Sequence, residues 1–249
     1  VSDVINKIKN RIFTYKNKYR ISRLKAYKYA PYPFNLYERF LKQIVDSDKF
    51  VINPFTLKSA ETSKDKVNIF IRYDIDTLNC AEKYDAFLEL DMHFNIDAAF
   101  FFRADNEEYS LREFDAKILN NNYSKAEIGL HTSCYTRDDF LKRFHEEKEN
   151  FYNYLHFYPK SFTVHGLGLF RLEVRKKLIK SFKENHGAFD YLFSDCHPEF
   201  RRYDYVMHDC HFDTILNKRF IYNDFEKRNR FFEKGRKYLI LVHPCYWKI

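Results

Sequence analysis

Glycine is scarce in this chain, with five residues among 249. No glycine-rich loop of the kind that cradles a diphosphate is present, which weighs against a nucleotide-binding motif. The five cysteines, Cys80, Cys134, Cys196, Cys210 and Cys245, are odd in number and widely spaced, with no C-x-x-C pair. Neither a zinc ribbon nor a disulfide framework is indicated. No apolar run approaches the length of a membrane-crossing helix, and the N-terminus lacks the apolar core of a secretion signal. These absences lead us to expect a reduced, cytoplasmic protein. Internal repeats and low-complexity tracts are missing too. Residues 6–28 contain no acid, only lysines and arginines interleaved with Ile8, Ile12, Phe13 and Tyr19. This basic N-terminal segment, 1–30, reads as an amphipathic helix lying on a membrane or a partner, or as a solvated helix face.

Aromatic residues are abundant. With 27 Phe, 20 Tyr and a single Trp they reach 19% of the chain. Core packing is the expected use for most of them, and a few could form a sugar-stacking platform. The net charge of +8 favours acidic partners: anionic glycans, nucleotide-linked sugars, membrane surfaces or nucleic acid. A nucleic-acid role would rest on charge alone, since no recognition motif is visible. The length suits one large domain or two small ones and allows a substantial core.

Two prolines, Pro31 and Pro33, break any helix and open a single domain over 31–249. Asn35 is placed to cap a helix over 36–46. Residues 47–66 read as a polar, lysine-rich loop. Strands are expected at 67–76, 95–102, 127–131, 161–165, 188–195 and 238–243. Helices are expected at 81–91, 111–120, 137–155, 172–185 and 224–234, with a strand-rich stretch in 200–222. Strand and helix alternate, which argues for a parallel α/β architecture. Chemically capable residues recur at strand ends: Asp74, Asp76, His131, His165, Asp195 and His243. In barrels and open α/β sheets that edge is where sites are built. Asp74 and Asp76 stand two apart on one strand and share a face. Buried there they would repel unless a metal or a proton sat between them; at a wet strand end they would simply be solvated.

Arg72-Tyr-Asp-Ile-Asp76 resembles the first motif, Arg-His-Asp-Val-Asp, of a divergent branch of the polysaccharide deacetylase family (the NodB-homology fold, carbohydrate esterase family 4). The segment 30–40 is similar to that branch's lead-in, and Ala98-Ala-Phe-Phe-Phe102 to its second strand. Glu127-Ile-Gly-Leu-His-Thr132 resembles the family's second motif and Leu241-Val-His-Pro244 its late His-Pro motif. The resemblance runs over roughly residues 30–249. It implies a distorted (β/α)7-type barrel and metal-assisted hydrolysis of an acyl group, acetyl or formyl, on an amino sugar or glycan. Asp74 would then be the general base and His243 the general acid. Asp76 and His131 would hold a divalent metal, commonly zinc. The setting implied is bacterial surface polysaccharide biosynthesis, O-antigen, lipopolysaccharide or capsule, on a nucleotide- or lipid-linked substrate.

The sequence departs from the family at several points. Tyr135 stands where the second motif has another histidine, so either His165 completes the metal site or the site is altered. His165-Gly166 falls where the family has an arginine and a proline. The one-residue gap between the acids leaves the base and ligand roles interchangeable. Tyr73, Tyr135, Tyr246 and Trp247 flank motif residues and are expected to touch substrate. Other readings are a retired scaffold that binds a glycan or partner protein, an Asp-x-Asp phosphatase, and a sugar transferase.

Overall fold

The computed structural model describes residues 32–55, 61–104, 106–114, 126–132, 140–165, 180, 192–193, 203–209 and 232–249. The basic segment 1–30, Tyr135, Asp195, the expected helix at 172–185 except Lys180, and residues 224–231 of the expected helix at 224–234 lie outside them.

The chain enters through a short strand, β1 (Tyr32–Pro33), and turns straight into α1 (Phe34–Val45). The helix begins at Phe34 and not after Asn35, because Pro33 at φ −62 already supplies the turn into it. Tyr37, Phe40, Leu41 and Ile44 form its buried stripe. The stretch expected to be a loop contains β2 (Phe50–Ile52), paired in parallel with β3 (Val67–Ile75). Two helices follow, α2 (Leu78–Glu82), capped by Thr77, and α3 (Tyr84–Phe94). Asn95 ends α3 in the left-handed conformation at φ 56, its N–H reaching back to the last carbonyls. The next strand therefore starts later than the apolar pattern suggested, as β4 (Ala99–Phe102). Leu111–Glu113, at the start of the helix expected over 111–120, forms a 3-10 turn, and 115–120 lie outside the described residues.

β5 (Glu127–Thr132), α4 (Phe140–Leu155), β6 (Ser161–Val164), β7 (Leu192–Phe193), β8 (Tyr205–His208) and β9 (Lys237–Val242) complete the main sheet. After a 3-10 turn, Pro244–Tyr246, the strand β10 (Trp247–Lys248) pairs with β1.

The main sheet runs β7-β6-β5-β4-β3-β9-β8, with β2 off the path against β3, and every pairing is parallel. That order is the chain order β3 to β9 taken around a ring and opened between β7 and β8. A curled sheet of this kind is the α/β barrel type, with crossover helices outside. No pairing joins β7 to β8 among the described residues.

β3 is buried on both faces along its whole length. One face, Ile69, Ile71, Tyr73 and Ile75, joins the main core with Tyr37, Phe40 and Phe87 from the helices. The other face turns inward. Phe70 packs there with Phe55, Ala99, Phe101 and Leu239 in a small second core. Gly129 on β5 makes room for it: a Cβ there would lie 2.3 Å from Cε1 of Phe101, its register partner on β4. The guanidinium of Arg72 sits over the Phe101 ring, 5.4 Å from its centroid. The aromatic plug is thus the floor on which the polar residues nearer the strand ends stand.

Candidate metal centre and its flanking carboxylate and imidazole

Strand register builds the site. Ile75 pairs with Phe102 and Phe102 with Leu130, so Asp76, Arg103 and His131 follow one another across three strand ends. His131 pairs with Thr163 on β6, two residues before His165. The backbone N–H of His165 continues the ladder onto Thr132 O at 2.8 Å, fixing the histidine at the rim.

Three donors converge there. His165 Nδ1 lies 2.9 Å from Asp76 Oδ1 and 3.3 Å from His131 Nε2. His131 Nε2 lies 3.0 Å from the same Asp76 oxygen. Asp76, His131 and His165 form a group able to hold a metal ion, their donor atoms all within 4.8 Å of one another. The donor set fits a divalent cation. Ligand bonds of about 2.0–2.2 Å in a tetrahedral site put neighbouring ligand atoms roughly 3.3 Å apart, and two imidazoles with one carboxylate suit zinc and similar ions.

The surroundings orient these ligands. Thr163 Oγ1 is 2.7 Å from His131 Nδ1. With the Nδ1 proton donated to that hydroxyl, the Nε2 lone pair faces Asp76. The Asp76 backbone carbonyl accepts from Asn106 Nδ2 at 3.0 Å, and the Tyr109 hydroxyl donates to Ile75 O at 2.7 Å. Burial raises the Asp76 carboxyl, but the charge of His165 and the hydrogen bonds of both histidines outweigh it and hold the group well below the usual range. Burial keeps the His131 imidazole below its ordinary value despite Asp74 and Asp76.

Asp74 stands one pleat below. Arg72 grips it with two parallel bonds, Nε to Oδ1 and Nη2 to Oδ2, each 2.6 Å. Burial pushes this carboxyl up, but the Arg72 guanidinium together with the charges of His131 and His243 outweighs it, and the net shift is downward. Its Oδ2 lies 3.6 Å from His131 Nε2.

His243 approaches from the other side, its Nε2 at 3.7 Å from Asp76 Oδ2. Its Nδ1 is 2.7 Å from Asp209 Oδ1, and its backbone N–H donates to Asp209 Oδ2 at 2.8 Å. The Trp247 indole N–H donates to the same oxygen at 2.8 Å. Burial alone would lower the His243 imidazolium; Asp209, then Asp76 and Asp74, raise it to about 9. The ring is therefore cationic at neutral pH, with Nε2–H aimed at the centre.

The expected substrate contacts fall differently. Tyr73 is fully buried on the outward face of β3, where its hydroxyl donates to Asp91 Oδ1 at 2.8 Å and meets Tyr37 at 2.8 Å. Strand alternation sends it away from the acids that flank it. Trp247 is also fully buried, its ring 4.9 Å from Tyr32 and 5.2 Å from Tyr37, holding Asp209 rather than a ligand. Tyr246 is buried beside His243, ring centroids 5.5 Å apart. All three are packing residues.

Two residues of the site were given no role from sequence. Arg72 had a signal, being two positions before Asp74 on the same strand and so on the same face. Asp209 follows β8 directly, in a stretch whose strand the pattern left blurred.

No protein-family model and no curated protein matches the chain. Among solved structures it is similar to the crystal structure of the polysaccharide deacetylase Bc1974 from Bacillus cereus. That match has a TM-score of 0.41 and 13% identity, covering 71% of this chain and 79% of that one. At that distance the likeness carries no argument about chemistry.

Proposed function

We propose that the protein is a metal-dependent hydrolase that removes an acetyl or formyl group from an amino sugar. The carrying observation is the meeting of three groups at one rim: the Asp76, His131 and His165 donors, the Arg72-clamped Asp74, and the Asp209-backed His243. The motif resemblance to polysaccharide deacetylases supports the same reading.

Asp76, His131 and His165 would hold the metal, with His165 in place of the family's second-motif histidine. A divalent cation there supplies a Lewis acid for the acyl carbonyl and a lowered pKa for a water. The chain's own residues do the rest. Asp74, kept ionised by Arg72, retains free lone pairs on its carboxylate and accepts the proton of the attacking water. His243 donates its Nε2 proton to the departing amine, and Asp209 keeps the imidazolium oriented and charged. Asp76 meets both histidines and Asp74 is gripped by the arginine, which supports giving the metal to Asp76 and the proton to Asp74.

An Asp-x-Asp phosphatase is disfavoured, because its second acid must deliver a proton, whereas Asp76 meets His131 and His165 and is held well below the usual carboxylate range. The substrate class we favour is a nucleotide- or lipid-linked acylated amino sugar used in surface polysaccharide synthesis, met in a reducing compartment. Among the described residues no helix is long and apolar enough to cross a membrane.

The deciding experiment pairs metal analysis with acetate release from N-acetylated amino sugars. We expect one equivalent of divalent metal, its loss in Asp76→Ala and His131→Ala, and its retention without turnover in Asp74→Asn. Protein that binds no zinc, cobalt or manganese at neutral pH, and releases no acyl group with any of them added, sinks the hydrolase and leaves the scaffold reading.

A further inference from the structure

Packing accounts for the ring of Trp247 but not for its N–H. The residue is braced on several sides. Tyr32, its register partner in the β1–β10 pair, lies ring to ring at 4.9 Å, and Tyr37 of α1 lies at 5.2 Å. Lys83, at the end of α2, donates from Nζ to the Trp247 carbonyl at 2.6 Å. The 3-10 turn Pro244–Tyr246 is closed by the Tyr246 N–H on His243 O at 3.0 Å, and it brings Trp247 back beside Asp209.

The indole N–H donates to Asp209 Oδ2 at 2.8 Å, and both residues are buried. A charged acceptor in a dry site makes such a bond strong. Among the described residues the other bonds to this carboxylate both come from His243. Its Nδ1 faces Oδ1 at 2.7 Å and its backbone N–H donates to Oδ2 at 2.8 Å. Without the indole, Asp209 would be tied only to the residue it steers. The terminal torsion of an aspartate is broad, so a carboxylate held by one neighbour turns easily. The imidazole paired with it turns too. The indole is the anchor from outside that gives the pair a fixed direction.

We propose that Trp247 is a positioning residue that acts through Asp209 to hold the His243 ring with Nε2 toward the candidate metal centre. Tyr32 and Lys83 brace Trp247 in turn, so β1 and the end of α2 support His243 at one further remove. The use of His243 as an acid rests on the proposed deacylation, whereas its fixing by Trp247 does not.

The test uses the intact chain. Its single Trp gives one indole N–H signal in a proton–nitrogen correlation spectrum. We expect that signal to be protected from solvent exchange and to move in Asp209→Ala. In Trp247→Phe the imidazole signals of His243, assigned by their loss in His243→Gln, should broaden. Benzothienylalanine at position 247 keeps the shape of the indole and lacks its N–H, and it should broaden them equally. This arm needs no change at Asp209 and decides alone should Asp209→Ala fail to fold. An indole signal unmoved in folded Asp209→Ala, or His243 signals as sharp with benzothienylalanine as in wild type, overturns the proposal.

Activity supplies a second reading. On an N-acetylated amino sugar, metal-loaded Trp247→Phe should lose roughly 10-fold in kcat with KM and metal content unchanged. Added to Asp209→Ala, the same change should cost nothing more. A full second loss in that background would mean a packing role only and would also overturn the proposal. A wild type that releases no acyl group defeats the deacylation alone, and the spectra still decide the positioning.

Discussion

Arg72 and Asp74 are both nearly inaccessible, and each satisfies the other. Removing one side of such a pair leaves a buried charge and typically costs about 3–5 kcal/mol. Arg72→Lys is more informative, because it keeps the charge but not the two-pronged grip. We expect metal content to stay near wild type while kcat drops roughly 10–100-fold, since the proton acceptor loses its orientation. His243 offers a second handle. Its raised value means that the proton it would donate as general acid is present at neutral pH and lost as pH rises toward about 9, or sooner where a bound cation offsets Asp74 and Asp76. Asp209→Asn removes the largest raising influence, so the alkaline limb of the rate profile should move to lower pH. An unchanged limb would remove His243 from the role of acid.

Asp91 carries a different kind of pH dependence. Burial raises its carboxyl well above the ordinary value although Tyr73 donates to it, and its Oδ2 has no hydrogen-bond partner. Below about pH 4 the group is protonated in both folded and unfolded chains. As pH rises further the unfolded chain releases a proton that the folded chain retains, so stability falls until the folded-state value is passed. The stability of Asp91→Asn relative to wild type should therefore increase from pH 4 to pH 8 in denaturant melts. A difference that stays flat over that range would mean an ordinary carboxyl.

Among the elements, β5 depends most on one position. Gly129 is the space occupied by the Phe101 ring, and Gly129→Ala forces that ring off the plug beneath Arg72. Overpacking of this kind costs about 1–3 kcal/mol, which thermal denaturation would register as a lower midpoint. The elements also differ in how far the sequence revealed them. β3, β5, β6 and β9 were legible because each is an apolar run stopped by a polar residue at the rim, and that stop is itself the site. β2 was not, because Phe50-Val51-Ile52 is a three-residue strand set in polar sequence, and its pairing with β3 is decided by tertiary contact. Asn95 was absorbed into a strand because pattern alone cannot reveal a left-handed helix cap. Tyr73 misled for a related reason: adjacency to Asp74 along a strand places the two side chains on opposite faces.

For the molecule as a whole, the candidate metal ligands come from the ends of β3, β5 and β6, so a bound cation would link strands of one sheet. A ligand present at 100 times its dissociation constant stabilises the native state by about 2.7 kcal/mol. Chelation should lower the melting temperature of the metal-loaded protein, added zinc should restore it, and Asp76→Ala should respond to neither. Alternation of strands and helices in the sequence was enough to imply a parallel sheet. The ring order was not legible in that alternation, because it depends on β9 lying against β3, and it was the motif resemblance that implied a barrel.

That adjacency has a consequence in time. β9 pairs with β3 over six residues, and Asn68 reaches Arg236 across 168 positions. A ribosome making this chain exposes β3 long before its second neighbour exists. Until β9 emerges, the strand bearing Arg72 and Asp74 has an open edge, a buried-type sequence and no route to the finished sheet. Contacts so distant along the chain form slowly and leave an aggregation-prone edge meanwhile. The strand that anchors the chemistry is thus among the last to acquire both of its neighbours.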